Sequence, residues 1–203
     1  RVYANIRRFL VFGLSGGAAE ILVMLVGPFV GLTVPLLAAQ ILWINLLTHG
    51  LTGVAIGAEP AGPASMSHPP TASTQGVLGD GLWQRVLILA GAIAATSLGI
   101  GLWAHATDRP WRSLIFLSLT ALQLGTALGL RTRLITRENR FLPLAVAASL
   151  ALALAGLYLR PLRLLLDTEV PDAVGVLVAT ATLGVGWAVT RLTHLRRNRQ
   201  VAA

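Results

Sequence analysis

Six apolar segments follow one another along the chain, and each is long enough to cross a lipid bilayer. About twenty consecutive apolar residues span the hydrocarbon core as a helix. The segments cover residues 9–30, 35–57, 82–104, 111–130, 141–159 and 174–192. The polar stretch 58–80 is rich in Pro, Gly and Ser, which indicates an extended loop. The pattern therefore predicts an all-α fold: a polytopic membrane bundle of six transmembrane helices, forming one domain over 1–203.

Composition supports a membrane protein and argues against a nucleic-acid-binding one. Of the 203 residues, 55% are hydrophobic and 12% are charged, and the mean hydropathy is +0.72. A soluble domain of this size is far less apolar. The net charge is +8, but the arginines lie in short clusters between apolar segments and form no basic stripe. We therefore expect a lipid bilayer and no nucleic acid as partner. The chain has no cysteine, which excludes disulfides and thiolate metal sites.

The distribution of arginines predicts the orientation of the bundle. If the N-terminus is cytoplasmic, only four of the sixteen arginines lie on the opposite side of the membrane, namely Arg109, Arg112, Arg160 and Arg163. Positive charge concentrates on the cytoplasmic side of membrane proteins. Both termini and loop 58–80 are therefore predicted to be cytoplasmic. We expect an integral protein of a bacterial plasma membrane.

Polar residues inside the first two apolar segments are the candidate functional residues. Glu20 lies near the middle of the first segment. Asn45, Thr48, His49 and Thr52 stand at i, i+3, i+4 and i+7 in the second, so we expect them to share one helical face. A charged residue at the centre of a membrane helix costs about 2.5–3.5 kcal/mol on insertion scales, and such residues usually mark an ion or proton path.

The short connection between the first two segments favours contact between Glu20 and the polar residues of the second segment. The turn between the first two segments is short, which makes their helices antiparallel neighbours. Small residues at Gly13, Gly16 and Gly17 allow a neighbouring helix to approach closely. A carboxylate, an amide oxygen, a hydroxyl and backbone carbonyls can together hold a dehydrated cation. Gln123 in the fourth segment is a candidate third wall of this cage, with an interhelical hydrogen bond as an equally good interpretation.

A purely structural interpretation of Glu20 and His49 stays open at this point. The two groups could form a buried pair that holds two helices together without any passing ion. Buried charged pairs contribute little net stability, so this role would be an inefficient use of two costly groups. Polarity alone therefore favours ion binding or transport.

The order of motifs resembles a known family. The motifs are Ser15-Gly-Gly-Ala-Ala-Glu20, Gln40-Ile-Leu-Trp-Ile-Asn45-Leu-Leu-Thr48-His49-Gly50, Gly57-Ala-Glu59-Pro60, Met66-Ser-His-Pro69-Pro70 and Gln123-Leu-Gly-Thr-Ala-Leu. They resemble the C-terminal membrane half of type II P-type cation ATPases, the class that includes sarcoplasmic calcium pumps. The resemblance covers the whole chain, as family helices five to ten, and is specific in the first two helices and the loop after them.

The resemblance implies a set of cation ligands. Glu20, Asn45, Thr48, His49 and Gln123 occupy the family's ligand positions on its fifth, sixth and eighth helices. Two departures bear on the ion. The family usually has Asp at the position of His49 and Asn at that of Gly17. Losing a carboxylate and an amide weakens the case for two calcium ions, whereas an imidazole suits borderline metals or a proton path.

The resemblance also implies what this chain does not contain. It has no Asp-Lys-Thr-Gly phosphorylation motif and no Thr-Gly-Glu-Ser dephosphorylation motif. It also lacks a nucleotide-binding domain and the broken family helix that supplies a further cation ligand. We therefore expect no catalytic residue and no cofactor here. ATP and Mg²⁺ would bind the remaining N-terminal and cytoplasmic domains of the pump, which are expected partners along with the transported cation.

Three functional interpretations remain at the sequence level. The first is the membrane domain of an ATP-driven cation pump. The chain begins at Arg1 rather than Met, and this interpretation therefore expects it to be a fragment of a longer protein. The second is a stand-alone six-helix protein without ATPase activity, acting as an ion-binding or pump-partner module. The third is an unrelated secondary transporter with a Glu–His pair, which the absence of an inverted repeat disfavours.

Overall fold

The computed structural model describes residues 2–60, 79, 81–131 and 139–202, with side chains up to residue 194. The described residues form helices joined by turns and irregular connections, and contain no strand. The helices are α1 (Val2–Val26), α2 (Ala38–Gly57), α3 (Leu82–Ala106), α4 (Trp111–Gly129), α5 (Phe141–Tyr158), α6 (Arg160–Leu166) and α7 (Ala173–Ala202). Six of them, all but α6, are long and apolar enough to cross a membrane. The all-α fold with six membrane-spanning helices is therefore confirmed. Most of loop 58–80, including the Met66–Pro70 motif, lies outside the described residues.

The first helical connection differs from the predicted limits. α1 begins at Val2 and ends in a 3₁₀ turn, Gly27–Val30, before Gly31 with a φ of 91°. α2 begins at Ala38 rather than at Pro35. The residue before a proline is disfavoured in the helical region, and Val34 has a φ of 50°. Gln40 then accepts the Leu37 N–H, at 3.1 Å, and satisfies a free donor at the start of α2.

The short helix α6 was not predicted. It follows α5 after one extended residue, Leu159, and has a proline in its first turn, where the missing N–H costs no hydrogen bond. Its length is well below that of a membrane span, so a search for long apolar segments passes over it.

The second helix is interrupted by a π-helical segment, Leu46–Thr52, between α-helical residues Ala38–Asn45 and Gly53–Gly57. A π-helix bonds i to i+5, so it changes which residues face a given neighbour, and such segments are frequent at functional sites. The segment contains Thr48, His49 and Thr52, three of the four polar residues singled out in this helix. Their arrangement therefore cannot be taken from α-helical spacing.

The bundle is organised around α4. Every residue from Ser113 to Ala127 is buried, with α7, α3 and α5 packed around it. The crossing with α7 uses small residues: a Cβ at Gly125 would overlap the Leu183 carbonyl, and one at Gly186 would overlap the Leu122 carbonyl. Glycines at such a crossing let helix backbones approach closely, and Gly125 and Gly129 have the spacing typical of membrane helix pairs.

Two apolar clusters meet at the level of the candidate polar residues. On α1, Ala19 belongs to one cluster and Phe12 to the other. On α4, Leu122 and Leu124 belong to different clusters, on either side of Gln123. Glu20 and Gln123 therefore lie near a boundary within the apolar interior.

Candidate cation site

Glu20 is the centre of the buried polar group. Its side chain is 5% exposed, and each of its carboxylate oxygens accepts an N–H from an amide on a different helix. The Asn45 Nδ2 atom donates from α2 at 3.2 Å, and the Gln123 Nε2 atom donates from α4 at 3.0 Å. Among the described residues no cationic side chain forms an ion pair with Glu20. Three helices thus hold one carboxylate with neutral donors alone.

His49 reaches Glu20 through Asn45. Its Nδ1 atom lies 2.7 Å from Asn45 Oδ1. Because the Asn45 amide nitrogen donates to Glu20, its oxygen is the group turned towards the imidazole. The contact with Asn45 therefore places a proton on His49 Nδ1.

The Nε2 atom of His49 faces the backbone of α1. It lies 3.6 Å from the position that a Cβ of Gly13 would occupy, and the Phe12 ring centroid is 5.6 Å from that of the imidazole. Nε2 is buried and makes no hydrogen bond of strict geometry within the described part of the chain, but the Gly13 backbone beside it is close enough to accept a weak one from the imidazole. A histidine that donates from one ring nitrogen can bind a metal with the other, and Nε2 would have to leave the Gly13 backbone to do so.

Gln123 also has a buried acceptor atom without a hydrogen bond among the described residues. The residue is 1% exposed, and its Oε1 atom is buried without a hydrogen-bond partner among the residues described. The amide lies against Gly16, where a Cβ would be 2.8 Å from Oε1. A Cβ at Gly17 would meet no atom within 4 Å. Gly16 thus makes room for the amide of Gln123, whereas Gly17 does not contact it.

The predicted shared face of α2 is wrong for Thr52. Its hydroxyl lies 3.2 Å from that of Ser149 on α5, and both hydroxyls donate to the Leu47 carbonyl. The π-helical turn carries Thr52 away from α1. Thr48 is fully buried, and its hydroxyl donates to the Ile44 carbonyl of its own helix, at 2.9 Å.

Ser149 was not among the residues predicted from the sequence. Its only signal is that a hydroxyl interrupts the otherwise apolar α5, and such residues usually form interhelical hydrogen bonds.

A helical membrane bundle with a buried carboxylate held by amides from two other helices is typical of ion-translocating membrane domains. Residues 33–196 match the family described as "Cation transporting ATPase, C-terminus", and the chain belongs to this family. It is the C-terminal transmembrane domain of a P-type cation-transporting ATPase, which favours the first of the three functional interpretations. The matched range includes Asn45, Thr48, His49 and Gln123 and begins after Glu20.

Three curated relatives are calcium-transporting ATPases by name. Calcium-transporting ATPase type 2C member 2 of Mus musculus is 29% identical over 205 residues, 96% of this chain and 22% of that protein. Calcium-transporting ATPase of Bacillus subtilis (strain 168) is 31% identical over 176 residues, 82% of this chain and 20% of that protein. Plasma membrane-type calcium-transporting ATPase 5 of Oryza sativa subsp. japonica is 33% identical over 89 residues, 44% of this chain and 8% of that protein. The chain thus spans about a fifth of the length of the first two relatives.

Proposed function

We propose that this domain binds the transported cation of an ATP-driven pump at Glu20, with Asn45, Gln123 and His49 as further ligands. The observation that carries the proposal is the pair of amide donors on the Glu20 carboxylate. An amide that donates to a carboxylate can rotate and present its oxygen instead. The two amides can therefore stabilise the carboxylate without an ion and join it in coordinating a cation when one arrives.

Thr48 belongs to the proposed ligand set in a weaker sense. Its hydroxyl proton is used within α2, but a hydroxyl oxygen keeps acceptor capacity while it donates. It could contribute an oxygen only if the π-helical segment turned it towards Glu20.

The cation that we propose is a divalent transition-metal ion, with Zn²⁺ and Mn²⁺ as the candidates, rather than Ca²⁺. Ca²⁺ takes six to eight oxygen ligands, whereas imidazole nitrogen suits the transition metals. This group offers one carboxylate, amide oxygens and the His49 imidazole. The relatives' names make Ca²⁺ the direct competitor, and it belongs in every assay.

The energy source that we propose is ATP hydrolysis in the rest of the protein. By analogy with the family, we propose that an aspartyl phosphate, ATP and Mg²⁺ act in domains outside these 203 residues. Alternating access would then move the cation past Glu20. We further propose a bacterial plasma membrane with both termini in the cytoplasm.

The experiment that tests this function is ATP hydrolysis by the purified full-length protein in lipid vesicles, titrated separately with Mn²⁺, Zn²⁺ and Ca²⁺. We expect stimulation by at least one cation and its loss in Glu20→Gln. The matched control is Glu169→Gln, which removes an exposed carboxylate distant in sequence from the site. Equal stimulation of wild type and Glu20→Gln would contradict the proposal.

A further inference from the structure

A second buried polar cluster lies at the far end of the helices that carry the cation site. Its members are Asn5, Glu59, Arg131 and Asn139, with exposures of 6%, 1%, 6% and 3%, and we name it the polar knot. Arg131 Nε lies 3.5 Å from Glu59 Oε1, and its Nη2 donates to the Asn139 carbonyl at 2.9 Å. Asn139 Nδ2 donates to Glu59 Oε2 at 2.6 Å. The knot is thus a closed triangle around one buried carboxylate.

The knot reaches α1 through Asn5. The Asn5 amide donates to the carbonyls of Gly57 and Glu59, both at 2.8 Å. Its oxygen accepts a hydrogen bond from Arg8 at 2.6 Å. The end of α2 is therefore tied to the beginning of α1 by side-chain bonds to its last carbonyls.

The knot also caps the first turn of α5. Asn139 Oδ1 accepts the backbone N–H groups of Phe141 and Leu142, at 3.1 and 3.2 Å. These are donors that the first turn of a helix leaves free. Asn139 Nδ2 donates in addition to the Ala55 carbonyl of α2, at 3.1 Å.

Each helix that supplies a residue to the cation site also supplies one to the knot. α1 carries Glu20 and Asn5, α2 carries Asn45 and leads into Glu59, and α4 carries Gln123 and leads into Arg131. At 1.5 Å per residue, the knot lies about 22 Å from the site along α1 and about 12 Å along α4. The two clusters therefore share helices without sharing contacts.

Stability alone is a poor explanation for the buried pair in the knot. A buried ion pair often contributes no more than apolar residues of the same volume. A fixed end is useful here because α2 contains a π-helical segment between the knot and Asn45. A change in the position of Glu59 along the helix axis would move the Asn45 amide relative to the Glu20 carboxylate.

We propose that the polar knot positions the cation site by fixing the register of α2 against α1 and α4. Glu59, Arg131, Asn139 and Asn5 are then positioning residues that never touch the cation. The inference rests on the proposed function, since it assigns the knot a role in the affinity of that site.

The first test compares cation titrations of full-length Arg131→Met and Glu59→Gln with wild type, using Mn²⁺, Zn²⁺ and Ca²⁺ and ATP hydrolysis as readout. We expect the half-saturating cation concentration to rise at least about fivefold, which is at the lower end of coupling between sites. The maximal rate should change by less than about twofold, because only the binding geometry is altered. Asn5→Leu, which keeps the ion pair, is the milder variant if either charge change prevents folding.

The matched control is Asp172→Asn, which breaks the exposed Arg109–Asp172 pair at 3.2 Å. It should leave the half-saturating concentration unchanged. An unchanged value in folded knot variants, or an equal rise in the control, would overturn the inference.

A second measurement separates this inference from the proposed function. Spin labels at Ile21 and Leu46, which are 67% and 59% exposed beside the site, report the distance between α1 and α2. The label distance should shift or broaden in Arg131→Met and stay as in wild type in Asp172→Asn. If wild type shows no cation-stimulated hydrolysis, the proposed function fails. The label distance still decides the register claim, and an unaltered distance in Arg131→Met rejects it.

Discussion

At the scale of single residues, the site depends on which atom each amide presents. Asn45 and Gln123 both turn their nitrogen to Glu20, which leaves Gln123 Oε1 without a donor and directs Asn45 Oδ1 to His49. An unsatisfied buried acceptor carries a desolvation cost of about 1–3 kcal/mol. A cation coordinated by Gln123 Oε1 would remove part of that cost.

Gly16 and Gly17 provide a matched pair of variants on one helix. A Cβ in Gly16→Ala would lie 2.8 Å from Gln123 Oε1 and displace the amide, whereas one in Gly17→Ala meets nothing within 4 Å. We expect Gly16→Ala to weaken cation affinity about tenfold, equivalent to ~1.4 kcal/mol, and Gly17→Ala to leave it unchanged. Cation titration of ATP hydrolysis measures both. Equal affinities in the two variants would show that Gln123 is not a ligand.

His49 is the residue that should decide the choice of cation. His49→Asp replaces a nitrogen ligand by oxygens, and hard cations such as Ca²⁺ prefer oxygen. We expect the ratio of Ca²⁺ to Zn²⁺ affinity to rise about tenfold, measured by competition between the two ions in the ATPase assay. A ratio that stays constant would place His49 outside the coordination shell.

At the scale of elements, the apolar pattern predicts what spans the membrane and fails where the helix type changes. The six long helices follow from segment length, because a bilayer selects for it. The π-helical segment Leu46–Thr52 leaves no such signal, since residue spacing is read with an assumed α-helical period. Thr52 was therefore assigned to the face of Asn45 when it contacts Ser149 on α5 instead.

The close contact between α4 and α7 can be tested with a matched pair of glycine variants. A Cβ in Gly186→Ala would overlap the Leu122 carbonyl, whereas one in Gly184→Ala on the same helix meets nothing within 4 Å. Overpacking of a tight interface costs about 1–3 kcal/mol, so Gly186→Ala should lower the thermal unfolding midpoint in detergent. Gly184→Ala should have the same unfolding midpoint as wild type. Identical midpoints for the two variants would mean that the helices are not in close contact there.

At the scale of the whole molecule, the sequence predicts the helices but not which of them contact one another. Contact of Glu20 with α2 was foreseeable from the short turn between α1 and α2. The central place of α4 was not, because an apolar segment reads the same whether it faces lipid or other helices. The polar knot was hidden for a related reason: Glu59, Arg131 and Asn139 lie at helix ends, where polar residues are ordinarily solvated.

Orientation in the membrane is a whole-molecule prediction that the arginine distribution makes. Cysteines introduced as Gln84→Cys and Glu169→Cys, both at exposed positions, should lie on opposite sides. The chain itself has no cysteine to interfere. In intact cells, a membrane-impermeant maleimide should label Glu169→Cys and not Gln84→Cys. The reverse labelling pattern would invert the orientation and place both termini outside.

Equilibrium binding of Mn²⁺ to the purified full-length protein, followed through the magnetic resonance signal of the free ion, should show whether Glu20 holds the cation. Glu20→Gln removes the carboxylate that three helices hold, so we predict that saturable binding disappears or weakens at least about a hundredfold, ~2.7 kcal/mol. The Glu169→Gln control should bind as wild type does. Mn²⁺ binding that is the same in wild type and in folded Glu20→Gln would contradict the account and reduce Glu20 to a structural link between helices.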